Sequence, residues 1–90
     1  MITIDRLKAL LEEATSALDT RLSSGFGYSD HTQLAELYFS RAEIHLAAKN
    51  YQAALQDFES CLDYDPYFYE ADLGREHAKS LIQVPLKKAS

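Results

Sequence analysis

The chain has 90 residues, 47% of them hydrophobic, and a formal net charge of −5. That length allows a single domain burying only about 60–65% of its unfolded surface, and the apolar content is too high for a disordered chain. The acidic balance argues against nucleic acid or an anionic membrane as partner, because both require a basic face.

At the start, Asp5, Arg6 and Lys8 interrupt the chain before any apolar core region, so no signal peptide is expected. No apolar run approaches the roughly 20 residues needed to span a bilayer. Cys61 has no partner for an internal disulfide, and a reducing, cytoplasmic setting is the corresponding expectation.

Residues 4–22 are expected to form an amphipathic helix, because Ile4, Leu7, Leu11, Ala14, Leu18 and Leu22 recur at three- and four-residue steps with Leu10 alongside. Thr3 is its expected N-cap. Residues 23–30 have the composition of a loop. Gly25 and Gly27 do not make a phosphate-binding turn, since Asp30 stands where the next glycine would be and no strand precedes them. Phe26 and Tyr28 are expected to tuck against the helices, and Asp30 with Gln33 resembles a capping box opening the next helix.

Two helical stripes follow, over 31–48 and 51–64. Leu34, Tyr38, Ala42 and His45 share one face of the first, and Tyr51, Ala54, Leu55, Phe58, Cys61 and Leu62 share one face of the second. Ala42 and Ala54 are small enough to let the two axes cross closely. Lys49 and Asn50 form the turn, with Asn50 as the expected cap of the second helix. Asp65-Pro66 marks a boundary, and the last helix is expected over 66–83 with Asp65 as cap. Its inward residues are Ala71, Ala78, Leu81 and Ile82. Gly74 inside it is expected to mark close backbone packing, since glycine costs about 1 kcal/mol relative to alanine there. Pro85 stops the helix, and the tail 84–90 is expected to fray. The fold class is therefore all-α: a helical hairpin between an N-terminal packing helix and a C-terminal capping helix, four helices in all.

The order Tyr38, Arg41-Ala42, His45, Ala54, Phe58, Cys61, Pro66 resembles a tetratricopeptide repeat at about residues 35–68. Tyr38 stands where the family has Trp, Ala42 where it has Gly, His45 where it has Tyr and Cys61 where it has Ala; Ala54, Phe58 and Pro66 match. The resemblance covers about a third of the chain, one repeat being roughly 34 residues. It implies a non-catalytic protein–protein interaction or adaptor module. The family usually has glycine where Lys49 stands, so a different turn is possible here. It also implies an Arg41–Asp57 ion pair across the hairpin, the alternative being a solvated Arg41 whose stem covers apolar surface.

In the family the first helix of each pair lines the concave, ligand-holding face. The matching positions are Glu36, Phe39, Ser40, Glu43 and Ala47. They lack the Lys, Arg and Asn with which some repeats grip acidic tails, so the expected partner is a protein segment that is basic or amphipathic. Alternatively, residues 4–22 cover this face as part of the core. One repeat cannot bury its own faces, and the aromatic cluster Tyr64, Tyr67, Phe68 and Tyr69 supports a second expectation: a homodimer in which two copies complete each other's stack.

No catalytic, cofactor-binding or metal-binding residues are assigned. His31, His45 and His77 lack the spacing of a metal site, and no nucleophile motif is present. Glu12-Glu13, and Asp57 with Glu59, are expected on solvated faces. The enzymatic rival is a histidine phosphotransfer domain using His45, but Lys49 stands one residue too far along and no glycine follows it.

Overall fold

The computed structural model describes residues 3–23 and 28–83, with side chains described for 3–23 and 31–82. It contains four helices: α1 (Ile4–Ser23), α2 (Tyr28–Ala47), α3 (Tyr51–Tyr64) and α4 (Tyr69–Gln83). No strand occurs among the described residues. The readings made for residues 24–27 and 84–90, including Phe26, Pro85 and both loop glycines, and for the Tyr28 side chain, lie outside the described residues.

The first helix starts as its sequence predicts, with the Arg6 backbone N–H donating to Thr3 Oγ1 at 3.2 Å. Its apolar stripe is only partly used. Leu18 is fully buried and Leu7, Leu10, Leu11 and Ala14 are half-buried, whereas Ile4 and Leu22 are exposed. The reason is that, among the described helices, α1 packs on α2 alone, which does not reach the two ends of the stripe.

The second helix begins at Tyr28, inside the stretch expected to be a loop over 23–30, because neither Tyr28 nor Ser29 is a helix breaker. Asp30 therefore lies inside the helix rather than ahead of it, and the capping-box reading of its side chain lies outside the described residues. The helix ends at Ala47 in a glycine-like turn without glycine. Lys49 has φ 66°. Its N–H donates to the Leu46 carbonyl at 3.0 Å, and the Asn50 N–H donates to the His45 carbonyl at 2.8 Å. These paired bonds, running back across a left-handed residue, are a Schellman motif. Asn50 does not cap α3 through its side chain; that group meets His45 instead.

The two hairpin helices pack through small residues, as predicted: Ala42 and Ala54 are both 0% exposed. Around them Ala35, Phe58, Cys61, Ala71 and Ala78 form one buried cluster. The last helix starts at Tyr69, not at Pro66. Asp65 Oδ1 accepts the Tyr67 N–H at 3.2 Å and the Asp65 carbonyl accepts the Phe68 N–H at 3.1 Å. This local turn competes with helix for the same backbone groups. The Phe68 carbonyl then accepts the first bonds of α4, from Ala71 and Asp72. Contacts run serially, α1 on α2, α2 on α3 and α3 on α4, with only a slight approach of α4 to α2.

Candidate functional site

At the centre of the hairpin sits a polar cluster. Arg41 from α2 forks onto Asp57 from α3, Nε to Oδ2 at 2.7 Å and Nη2 to Oδ1 at 2.8 Å. This is the ion pair that the repeat resemblance implies, and it is bidentate. Asp57 is 5% exposed, so the expectation that Asp57 and Glu59 share a solvated face is wrong for Asp57; Glu59 is exposed. A carboxylate this deep is tolerable only because the guanidinium satisfies both its oxygens. The hydrogen bond to Asp57 in turn pushes the Arg41 guanidinium above its ordinary range. Arg41 Nη1 also donates to Thr15 Oγ1 at 3.2 Å, tying α1 into the cluster, and its Cζ lies 5.8 Å from the Tyr38 ring centre.

His45 completes the cluster. Its Nε2 lies 3.7 Å from Asp57 Oδ2, and Asn50 Nδ2 lies 3.3 Å from its Nδ1. Burial lowers its pKa, the Asp57 charge opposes that shift, and Arg41 adds to it. The side chain is 17% exposed. Cys61 is fully buried, and burial, reinforced by the Asp65 charge, pushes its thiol up to about 12. At neutral pH it is an inert apolar group. Among the described residues no group of three or more His, Cys, Asp or Glu is placed to hold a metal ion, and no helix is long and apolar enough to cross a membrane.

The surface positions singled out in the sequence separate into two kinds. Glu36, Ser40, Glu43 and Ala47 are exposed along one side of α2, three and four residues apart and so on one face. Phe39, expected to offer its ring to a ligand on the same face, is half-buried. It lies 4.9 Å from Phe68, nearly parallel to it, and 5.9 Å from Phe58. Its ring fills the seam toward α4 because Phe68, just ahead of that helix, presents an apolar partner there. The first helix flanks the acidic row without covering it, its Arg21 lining one pocket with Glu36 and Ser40. It lies over the neighbouring stripe, where Leu34 is buried, Leu37 half-buried and Arg41 bonded to Thr15.

The aromatic cluster divides likewise. Tyr64 stacks on Tyr38 at 5.9 Å and lies 5.5 Å from His31, and Phe68 stacks on Phe39. Both are half-buried and pack within the chain. Tyr67 and Tyr69 are 92% and 68% exposed. Leu73, one helical turn beyond Tyr69, is 53% exposed and was not singled out from the sequence. Its pairing with Tyr69 at i,i+4 was the available signal. Compared with protein-family models, curated proteins and solved structures, the chain matches none.

Proposed function

We propose that this chain is a non-catalytic protein-binding module of tetratricopeptide type, acting in the cytoplasm, whose ligand is a basic or amphipathic segment of another protein. The observation that carries the reading is the row Glu36, Ser40, Glu43 and Ala47, left uncovered on α2 above a seam filled by Phe39 and Phe68. Serial stacking of helices supports it, since solenoid repeats contact only their neighbours and present such faces to partners. An acidic row beside apolar surface suits a helix or extended peptide with basic side chains. The buried thiol of Cys61 is compatible with a reducing compartment.

The test is a random peptide library selected against the folded chain. A basic amphipathic consensus is expected, bound by the wild type and weakened at least tenfold by Glu36→Lys with Glu43→Lys, a loss of about 1.4 kcal/mol. Selected peptides without basic residues, or binding indifferent to that double change, would remove the reading. A second reading, self-association, is favoured by the exposure of Tyr67, Tyr69 and Leu73 at the end of the stack.

A further inference from the structure

We infer that the outer side of α4 binds the groove between α1 and the α2–α3 turn of a second copy of the chain, head to tail. At one end, α4 packs on α3, and no other described helix covers its outer side. Tyr69 and Leu73 are exposed there, with the exposed Asp72 and Glu76 interleaved at three- and four-residue steps and Glu70 beside them. That surface is apolar, with three acids, Glu70, Asp72 and Glu76, against two cations, Arg75 and Lys79, around it. On the α1 side of the molecule, a groove of about 410 Å³ opens between the start of α1 and the α2–α3 turn. Ile4, Leu7 and Leu11 give it an apolar floor, and Lys8 and Lys49 stand on its rim. In a chain of net charge −5 this groove has two exposed cations and no acid among its lining residues. Neither lysine is in an ion pair among the described residues.

Charge selects the pairing. Joining α4 to α4 would bring acids against acids, and joining groove to groove would bring lysine against lysine. Only the unlike ends complement each other in both apolar surface and charge. Asp72 and Glu76 are held by Arg75 and Lys79 on their own helix, but exposed pairs of this kind contribute little and exchange readily. Because the two patches are different surfaces, the contact is heterologous and extends beyond a dimer unless its rotation closes a ring. This rests on the self-association reading and shares only Ala47, a lining residue of the groove, with the acidic row on α2.

The experiment is sedimentation equilibrium of the full chain over a range of concentrations, using two variants. Lys8→Glu with Lys49→Glu disables the groove, and Tyr69→Ser with Leu73→Ser disables the α4 face. Wild type is expected to gain mass with concentration, less so at high salt. Each variant alone is expected to stay monomeric. Mixed in equal amounts, they form a heterodimer that grows no further, because one retains the α4 face and the other the groove. Circular dichroism checks that the helices persist, and Asp72→Lys with Glu76→Lys replaces the serine variant if it loses helicity. A wild type monomeric up to about 1 mM, a free energy weaker than about −4 kcal/mol, overturns both the inference and the self-association reading. A wild-type dimer whose disabled variants do not complement each other overturns the head-to-tail arrangement alone. Uptake of an unrelated acidic amphipathic helix by a wild type that stays monomeric would assign the groove to another protein and overturn it as well.

Discussion

A methyl group placed on Gly74 would lie 2.4 Å from Phe58 Cζ and 2.5 Å from its Cε1, closer than carbon atoms approach. Phe58 is 1% exposed and has Phe39 on another side, so its ring has nowhere to retreat. Alanine at 74 would raise intrinsic helix propensity by about 1 kcal/mol. The clash outweighs that gain, and Gly74→Ala is expected to lose about 1–3 kcal/mol net in urea denaturation. Adding Phe58→Leu to the same chain should cost less than the two changes summed. A Gly74→Ala chain as stable as wild type would mean that glycine is not there for the ring.

The Arg41–Asp57 fork predicts a different pattern. Removing either partner leaves a charge without its counter-ion in a site where Asp57 is 7% and Arg41 21% exposed at the side chain. Asp57→Ala is expected to cost about 3–5 kcal/mol, a large share of the total stability of a domain this size. Arg41→Met should cost at least as much: the thioether still covers the apolar surface that the arginine stem covers, but the more deeply buried charge, Asp57, is left without its counter-ion. The exchanged pair, Arg41→Asp with Asp57→Arg, should recover part of the loss of each single reversal. Thermal melts of the three reversal chains provide the check, and no recovery would mean that orientation within the Thr15–His45 surroundings matters more than the pairing itself.

How far the sequence could be read depended on the distance over which each feature is determined. The bounds of α3, Tyr51–Tyr64, follow from a local apolar period and the turn ahead of it. The crossing at Ala42 and Ala54 follows from two such periods laid side by side. The start of α4 was misread because one side chain, Asp65, captures the Tyr67 N–H and holds Pro66 in a turn. Helical preference at that point is decided by a hydrogen bond, not by periodicity. Phe39 was misplaced because its neighbour Phe68 is remote in the chain, and a helical face says nothing about what lies across it. The groove rimmed by Lys8 and Lys49 was not legible for the same reason, being built from two ends of a hairpin and a separate helix.

Lys49 holds a left-handed backbone, φ 66°, at the position where a Schellman motif favours glycine. A side chain with a Cβ is strained there by roughly 1 kcal/mol. Glycine relieves the strain but gives the unfolded chain more freedom, so the net gain is smaller. Lys49→Gly is expected to raise stability by about 0.5–1 kcal/mol in dilute solution. Lys49→Val, β-branched and costly at positive φ, should lower it. Equal stability for the two would mean that the turn relaxes to another conformation.

His45 gives stability a defined slope with pH. Burial depresses the folded imidazole below its ordinary value of 6.5. Between the folded value and 6.5 the unfolded chain therefore binds more protons than the folded one, and stability rises with pH across that window. The contribution is fully present above 6.5, is lost as pH falls through the window, and levels off once the folded ring is also protonated. Its size is limited by Asp57, whose charge lies 3.7 Å from Nε2 and opposes the shift. His45→Gln keeps a polar group near Asn50 and removes the titration. Denaturation curves of wild type and His45→Gln, taken from pH 7.5 down to 5, should converge or diverge in one direction only, with the wild type losing relatively more as acid is added. A wild type that gains on His45→Gln below pH 6.5 would mean that Asp57 outweighs burial and that the ring is protonated in the fold.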